Sequence, residues 1–512
     1  MKILPGIVSL SLLGCLSARA YTVLSNNVYQ SDGTTADTQA AVNAALDGFT
    51  IQIPPGAFAW TTGISVSGKA IKIQGAGAGS LQGHSTTSVT VGTGPQTFTT
   101  QSNLAFQAGQ TVRANCTAQG IIYMEGTVAS YSGTTLVLNI TTTAGSGTIA
   151  FWTFSTPPTT TISNSCTAGP VFSLTEAASG HVELTGIYIF ATGSNTAVGD
   201  GVDILSASSG QPVFIHDCRF SVASVGARAV ETRSNRGLVY KCSFDNKFDA
   251  GVTNNGNGNN DQGISFKCGG LTSSWTNNAT MGMADTNGTS NFYVEDCYFA
   301  GFWTQGLDFD DNSRAVVRYC TFDNAATASH GADTSPYGLR HFELYNNTFV
   351  FVNAGTNTFN LNWWLFLRGG TGIITDNEMP DITSSQWGNK SELSFTVMNL
   401  RRNSGPYACW SGGYPAPHQI GQGWISGSAT EPVYIWNNTG TGNFTPTVSD
   451  YSCASSDACL NCSTLPSATN YCVSSRDFVL GSPKPGYVKY TYPHPLRTGA
   501  PMPPPNLRLA PK

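Results

Sequence analysis

The stretch FYVEDCYF, residues 292 to 299, returns 23 positions later as AVVRYCTF, residues 315 to 322. Relatives stand upstream in VFIHDCRF (213–220) and GLVYKCSF (237–244). Setting Cys218, Cys242, Cys297 and Cys320 in one column also aligns Ile215, Val239, Val294 and Val317 three positions before, and Phe220, Phe244, Phe299 and Phe322 two after. The column continues in other residue types. FELYNNTF puts Asn347 there, GIITDNEM puts Asn377, VYIWNNTG puts Asn438, and LTGIYI puts Ile187 between Leu184 and Ile189.

The spacings are 24 residues from Cys218 to Cys242, 23 from Cys297 to Cys320, then 27 to Asn347 and 30 to Asn377. The 55-residue interval between Cys242 and Cys297 reads as about two such periods. A period of this size with a strand signature means stacked coils. Leucine-rich repeats share the period, but their Leu-x-x-Leu-x-Leu framework is missing, which leaves a parallel β-solenoid. Successive coils lie roughly 4.8 Å apart, so equivalent side chains stack in columns. A column of Asn can form a hydrogen-bonded ladder at a tight turn. Cys is small and apolar enough to take the same place. The cysteines therefore read as a packing stack, with vertical disulfides Cys218–Cys242 and Cys297–Cys320 as the open alternative.

Composition agrees with many short strands. Only 11% of the 512 residues are charged and 56 are Gly, with polarity carried by Asn, Thr and Ser. Gly and Asn tolerate the left-handed angles of tight turns. The net charge of -5 leaves no basic footprint and argues against a nucleic-acid partner.

Residues 1–20, MKILPGIVSLSLLGCLSARA, have the layout of a secretory signal peptide, with Tyr21 as first mature residue. A rival reading takes LLGC as a lipoprotein processing site that leaves the chain anchored through Cys15. No later stretch is long and apolar enough for a transmembrane segment. The protein is expected to be secreted, into a compartment where disulfides persist.

The chain divides into five parts. After the signal peptide, residues 21–90 form the N-terminal cap and first coils: TADTQAAVNAAL (35–46) reads as a short helix capped by Asp37, with Val42, Ala45 and Leu46 on one face. Such a helix would cover the open end of the solenoid. Residues 91–156 alternate strands with turn signals but lack the coil signature, so they read as a small inserted β domain. Residues 157–445 hold the main helix. Residues 446–512 are Cys-rich, with Cys453, Cys459, Cys462 and Cys472, then Pro-rich, and PHPLRTGAPMPPPNLRLAPK reads as an extended or mobile tail. Disulfides are favoured over zinc for that cysteine group, and Cys116 and Cys166 are placed to staple the base of the insert.

Helix, FTIQI, PPGAF and KAIKIQGAG together resemble the N-terminal coil of the right-handed parallel β-helix superfamily that includes pectate lyases and polygalacturonases. SHGADTSPYGLRHFELYNNTF, FNLNWWLFLRGGTGIITDNEMP and RDFVLGSPKPGYVKYTYPHPL resemble a group of secreted bacterial β-helix repeat proteins. The resemblance implies an all-β solenoid and contact with polysaccharide. It does not carry a catalytic set across. Of the polygalacturonase motifs only the Asp310-Asp311 pair and SHG at 329–331 have counterparts, and the Trp-Ile-Asp-His and Arg-x-Pro-x-x-Arg signatures of pectate lyases are absent. The insert is similar to modules of phage tail proteins, and tailspike-like trimers occur on this fold, so monomer and trimer both stay open.

Counting back from the Cys/Asn column aligns GVDIL, AVETR, ISFK and GLDFD as one parallel sheet, with Val202, Val230, Ile264 and Leu307 inward. Alternation then turns Asp203, Glu231, Ser265 and Asp308 outward, with Leu205, Arg233, Lys267 and Asp310 in the next outward column. His330 and Asp333 of ASHGAD follow in the next coil. Two chemistries suit such a face. A glycoside hydrolase needs one protonated and one ionised carboxyl, which Asp308 with Asp310 or Asp311 can supply. A lyase acting on a uronate needs a neutraliser, from Arg233, Lys267, Arg340 or calcium, and a base such as His330. Glu231, Asp333, Arg340, Trp363 and Trp364 are candidate substrate contacts, with Trp387 a further aromatic. A noncatalytic binding or adhesin role is the alternative, in which the insert and the aromatics make the contacts.

Overall fold

The computed structural model describes residues 20–116, 122–150, 152–164, 169–191, 201–222, 227–246, 262–268, 285–302, 305–323, 325–331, 338–350, 363–378, 394–400, 414–415, 419–421, 431–440, 447–450 and 472–497. The signal-peptide residues, Cys166, Cys453, Cys459, Cys462, Asp333 and Trp387 lie outside them.

Short strands pair coil upon coil into three long sheets of 13, 8 and 10 strands. Pairing between successive coils is parallel throughout, and the chain winds as a right-handed parallel β-helix. The register is the one the columns predict. In the first sheet Ile215, Val239, Val294, Val317, Leu344, Ile374 and Ile435 pair in series. In the second, Phe220, Phe244, Phe299, Phe322 and Phe349 do the same, their rings stacked at centroid distances of 5.1, 4.6, 5.1 and 4.8 Å. These rings are buried and their offset stacking adds to the area each removes from water.

The turn from the first sheet to the second explains the recurring cysteine. One residue per coil adopts left-handed φ there: Asp217, Lys241, Asp296, Tyr319, Asn346, Asp376 and Asn437, with φ between 50° and 57°, and Gly186 at 71°. The next side chain then points inward. Cys218, Cys242, Cys297 and Cys320 each donate Sγ–H to the carbonyl of Leu184, Ile215, Val239 and Val294 of the preceding coil, at 3.6 to 3.7 Å. Asn347, Asn377 and Asn438 donate Nδ2–H to the equivalent Val317, Leu344 and Ile374 carbonyls at 2.9 to 3.1 Å. Thiol and amide thus fill one donor position. The four cysteines are free thiols, so the packing reading holds over the vertical disulfides. Asn adds an acceptor: Asn377 Oδ1 takes the Asn347 backbone and side-chain N–H, both at 3.0 Å, and Asn438 Oδ1 takes those of Asn377.

One spacing needs correction. Val239 pairs directly with Val294, so the 55 residues from Cys242 to Cys297 make one coil. Most of the extra length, residues 247–261 and 269–284, lies outside the described residues.

The helix α1 (Thr35–Ala44) covers the N-terminal end with Ala41 and Val42 buried. Its cap is Thr34, whose Oγ1 accepts from the Asp37 N–H, whereas Asp37 accepts from Asp32 N–H at 2.7 Å. Leu46 falls beyond the helix and is 68% exposed, against the expectation that it faces the core.

The insert is a six-stranded antiparallel sheet that opens at Leu81–Ser85 and closes at Trp152–Ser155, so it begins ahead of the boundary drawn at residue 91. Its own core holds Phe98, Trp152 and Phe154. It leaves the helix after Gln74, at the turn that later coils fill with Cys or Asn, and docks on the outer face of the second sheet. The contact is polar and dry. Arg219 Nη1 donates to Ser155 Oγ at 2.7 Å and Nε to Asp245 Oδ1 at 3.2 Å, and His84 Nδ1 lies 3.0 Å from Asp323 Oδ2.

The C-terminal residues do not form a loose tail up to residue 497. They strap the outer face of the first sheet, where Tyr490 packs among Phe214, Leu238, Tyr240, Tyr293, Val316 and Tyr345. Arg318 donates to the Tyr490 and Thr491 carbonyls at 2.7 and 2.8 Å and to Glu295 at 2.8 Å, while Arg497 reaches Glu295 at 2.7 Å. The buried Arg318 thus satisfies two backbone carbonyls of the strap.

Two outcomes test this architecture. Asn377→Cys and Asn377→Leu both remove the Oδ1 that accepts the Asn347 N–H groups, but only Leu also leaves the Leu344 carbonyl without its donor, so Leu should cost about 1 to 3 kcal/mol more than Cys by urea denaturation; equal losses would contradict the shared-donor account. Arg497→Met leaves Glu295 and Asp296 short of a cation and should lower stability by about 3 kcal/mol with an unchanged m-value. An unmoved urea midpoint would show that the strap does not clamp the sheet.

Candidate active site on the third sheet

The third sheet pairs Asp203 with Glu231, Glu231 with Ser265, and Ser265 with Asp308, and it sets Lys267 beside Asp310. The next strand pairs Ala328 with Asp308 and Ser329 with Phe309, which brings His330 level with Asp310. Both outward columns exist as the alternation demands. They are not open to water, however: Asp308, Asp310 and His330 are 2%, 5% and 7% exposed, and Glu231 is 2%.

Burial makes the hydrogen bonds around Asp308 decisive. Its Oδ2 accepts from Gln262 Nε2 at 2.7 Å, and its Oδ1 accepts from Gln305 Nε2 at 3.2 Å and faces His330 Nε2 at 3.0 Å. Arg368 Nη2 lies 2.7 Å from the same His330 nitrogen, and Arg368 Nε donates to the Ser329 carbonyl at 2.6 Å. A single imidazole nitrogen cannot donate to Asp308 and accept from Arg368 at once, so the two compete for it. Glu231 is spent on two arginines, bonding Arg228 Nη1 and taking Arg233 Nε at 3.0 Å. Ser265 Oγ, between Glu231 and Asp308, is buried with no protein partner among the described residues.

The two aspartates are driven apart electrostatically. For Asp308, burial raises the pKa, but the charge and hydrogen bond of His330, with Arg368 and Lys267 behind it, outweigh burial and hold it below the ordinary carboxylate value. For Asp310, burial dominates, the charges of Asp311 and Asp308 add to it, and the pKa is raised despite His330. Residues two apart on one strand therefore favour opposite protonation states. Asp310 Oδ1 also accepts from the Asp311 N–H at 2.8 Å, in a turn where Asp311 and Asn312 are both left-handed.

The other candidates divide. Arg233, with a side chain 56% exposed, and the half-buried Lys267 edge the acid face. Arg340 does not join it: it is buried and paired with Glu431 at 3.0 Å, with Thr371 as a further acceptor. Trp364 is not a sugar platform. It is 2% exposed and packs on Phe349 at 5.3 Å inside the core, because strand alternation turns it inward. Trp363 lies in the same strand, Trp363–Leu367. Gln262, Gln305 and Arg368 were missed by the sequence reading. The register pairs Gln262 with Arg228, one step before the aligned columns began, so extending the alignment by two residues would have found it. Among the described residues no three His, Cys, Asp or Glu side chains converge to hold a metal ion such as calcium.

No protein-family model matches the chain, and no curated protein matches it. Solved structures with a similar chain trace include alginate lyase from Paenibacillus sp. str. FPU-7, at 10% identity and TM-score 0.35, covering 84% of this chain and 99% of that one. The tailspike gp61 of Pseudomonas phage phi297 is similar at 15% identity and TM-score 0.21, covering 80% of this chain and 73% of that one. A glycoside hydrolase is similar at 9% identity and TM-score 0.24, covering 78% and 88%. The assignment of fold rests on the chain's own topology, which is that of a parallel β-helix.

The lowered pKa of Asp308 has a stability consequence. Its contribution is present above the unfolded value of about 3.9 and is lost as pH falls through the lower folded value. The stability difference between wild type and Asp308→Asn should therefore narrow as pH is taken from about 6 to about 3. A difference constant over that range, measured by urea midpoints, would show that Asp308 is not held ionised.

Proposed function

We propose that the protein is an exported polysaccharide hydrolase acting on an acidic polysaccharide, with Asp310 as the proton donor and Asp308 as the ionised partner. The observation that carries this reading is the split between the two carboxyls on one strand face, the pKa of one lowered by His330 and Arg368 against its burial and that of the other raised by burial. Glycosidic cleavage needs this pair. The protonated carboxyl gives its proton to the leaving oxygen as the bond to the anomeric carbon breaks, and the carboxylate activates water or attacks that carbon. Consecutive outward residues on a strand lie about 6.6 Å apart at Cα, a span that places both on one sugar linkage. Lys267, half-buried and in register with Asp310, supplies a cation toward an acidic chain on this face.

Elimination is less well supported. It asks Arg233, Lys267 or Arg340 to neutralise a uronate and His330 to act as base, yet Arg233 is committed to Glu231, Arg340 to Glu431, and His330 to Asp308 and Arg368. Of the aromatics a noncatalytic binder would use beside the insert, Trp364 is in the core, and Trp387 lies outside the described residues.

The test is a screen of the purified protein on acidic and neutral polysaccharides, with and without calcium, following reducing ends and the ultraviolet absorbance of unsaturated sugar ends together. Reducing ends without that absorbance are expected, with Asp308→Asn and Asp310→Asn each slowing turnover by about 100-fold or more. The acid limb of the pH profile should lie below the usual carboxylate range and the alkaline limb above it, following the opposite displacements of Asp308 and Asp310. Absorbance rising with reducing ends would contradict hydrolysis, and silence across the panel would contradict catalysis.

A further inference from the structure

A second concavity lies away from the acid face, at the seam between the insert and the second sheet, with a volume of about 240 Å³. The insert contributes Arg113 and Tyr123, from strands Thr111–Cys116 and Ile122–Ser132. The helix contributes Thr159, Thr161, Tyr188 and Phe190 from its early coils. Neither wall alone makes the hollow; splicing the insert into the early turn creates it.

Its chemistry is mixed in a particular way. Arg113 is bound to Glu125 through both Nε and Nη2, at 2.8 and 2.7 Å, so the one cation among the described lining residues is already neutralised. The same guanidinium lies 4.0 Å from the centroid of the Tyr123 ring and fixes its orientation. Tyr188 is held from behind by Ser221, its hydroxyl 2.9 Å from Ser221 Oγ, and by Arg219 at 4.6 Å from its ring. Among the described residues the hollow thus offers rigid aromatic surface, threonine hydroxyls and a charge-balanced pair, a lining without excess charge to draw a phosphate or a uronate. A neutral sugar ring has the matching character: an apolar C–H face for an aromatic ring, and an edge of hydroxyls that both donate and accept. Junctions between structural units are where small-molecule sites recur.

We propose that this cleft is a binding site for a neutral sugar residue, separate from the acid face. It sits between the strands Thr160–Asn164 and Tyr188–Ala191, three to four rungs from Tyr298–Ala300, the second-sheet strand of the coil that carries Asp308. At roughly 4.8 Å per rung that is about 14 to 19 Å along the axis, within reach of one extended glycan. The site goes beyond the hydrolase reading and does not depend on it.

Saturation-transfer NMR on the full-length protein tests the assignment, with glucose, galactose, mannose, N-acetylglucosamine and glucuronate added singly. Transfer to at least one neutral sugar is expected in wild type and in Asp308→Asn, and its loss is expected in Tyr123→Ala and in Thr161→Val. Thr161→Val is near-isosteric and on the helix wall, so it reports recognition even if the Tyr123 variant fails to fold. No transfer to any neutral sugar, transfer surviving Thr161→Val, or a stronger signal from glucuronate would overturn the proposal. Loss of transfer in Asp308→Asn alone would also overturn it, by moving the sugar to the acid face. The outcomes separate from those of the polysaccharide screen: a protein that cleaves polymer but shows Thr161-insensitive transfer retains its hydrolase reading and loses this one, and the reverse result does the opposite.

Discussion

Each coil turns from the first sheet to the second through one left-handed residue, and the structure keeps its count from that point. For an L-residue the conformation is unfavourable, least so for Gly, Asn and Asp, which supply most of these positions. What holds it is the next side chain, Cys or Asn, which turns inward and donates to a carbonyl one coil away. A shift by one residue would send that donor outward and every Phe of the stacked row with it, so the penalty for slippage is shared across the helix. Lys241 and Tyr319 are the exceptions to the small polar residues at this turn, and the Tyr319 ring is stacked on Tyr492 of the strap at 3.7 Å.

A fixed register lets a chain with few charges place them in rows. Arg219 and Asp245 meet on the second sheet under the insert, and Arg318, Glu295 and Arg497 on the first sheet under the C-terminal strap. Buried pairs of this kind contribute little net stability because desolvation offsets attraction, but a displaced partner leaves a bare charge. They fit a role in fixing where the insert and the strap dock. The third sheet is arranged differently. There acids stand beside acids, Asp308 with Asp310 and Asp311; His330 and Arg368 outweigh burial at Asp308, whereas the charge of His330 does not outweigh it at Asp310.

The inward columns were legible in the sequence because core positions tolerate few residue types and repeat them at a fixed count. Val239, Phe244 and Asn377 could be placed from the text alone. So could the outward Asp308 and Lys267, since alternation fixes the face once the register is known. What alternation cannot reveal is what lies over a face. The burial of Asp308, the commitment of Arg340 to Glu431 and the docking of the strap all depend on contacts between residues far apart in the chain. Trp364 was misread because a tryptophan in an outer-looking run carries no mark of direction until its strand is paired. Of the proline-rich end, residues 493–497 belong to the strap, through contacts far apart in the chain that composition does not mark, and residues 498–512 lie outside the described residues.

The account depends most on Asp308 and Asp310 sharing a face while favouring opposite protonation states. Carbon-13 NMR of the aspartate carboxyls, titrated with pH in the intact protein and assigned with Asp308→Asn and Asp310→Asn, measures that directly. The account predicts one resonance titrating below the ordinary aspartate range, lost in the first variant, and one titrating above it, lost in the second. Two carboxyls titrating together in the ordinary range would contradict it, and with it the assignment of donor and partner on the third sheet.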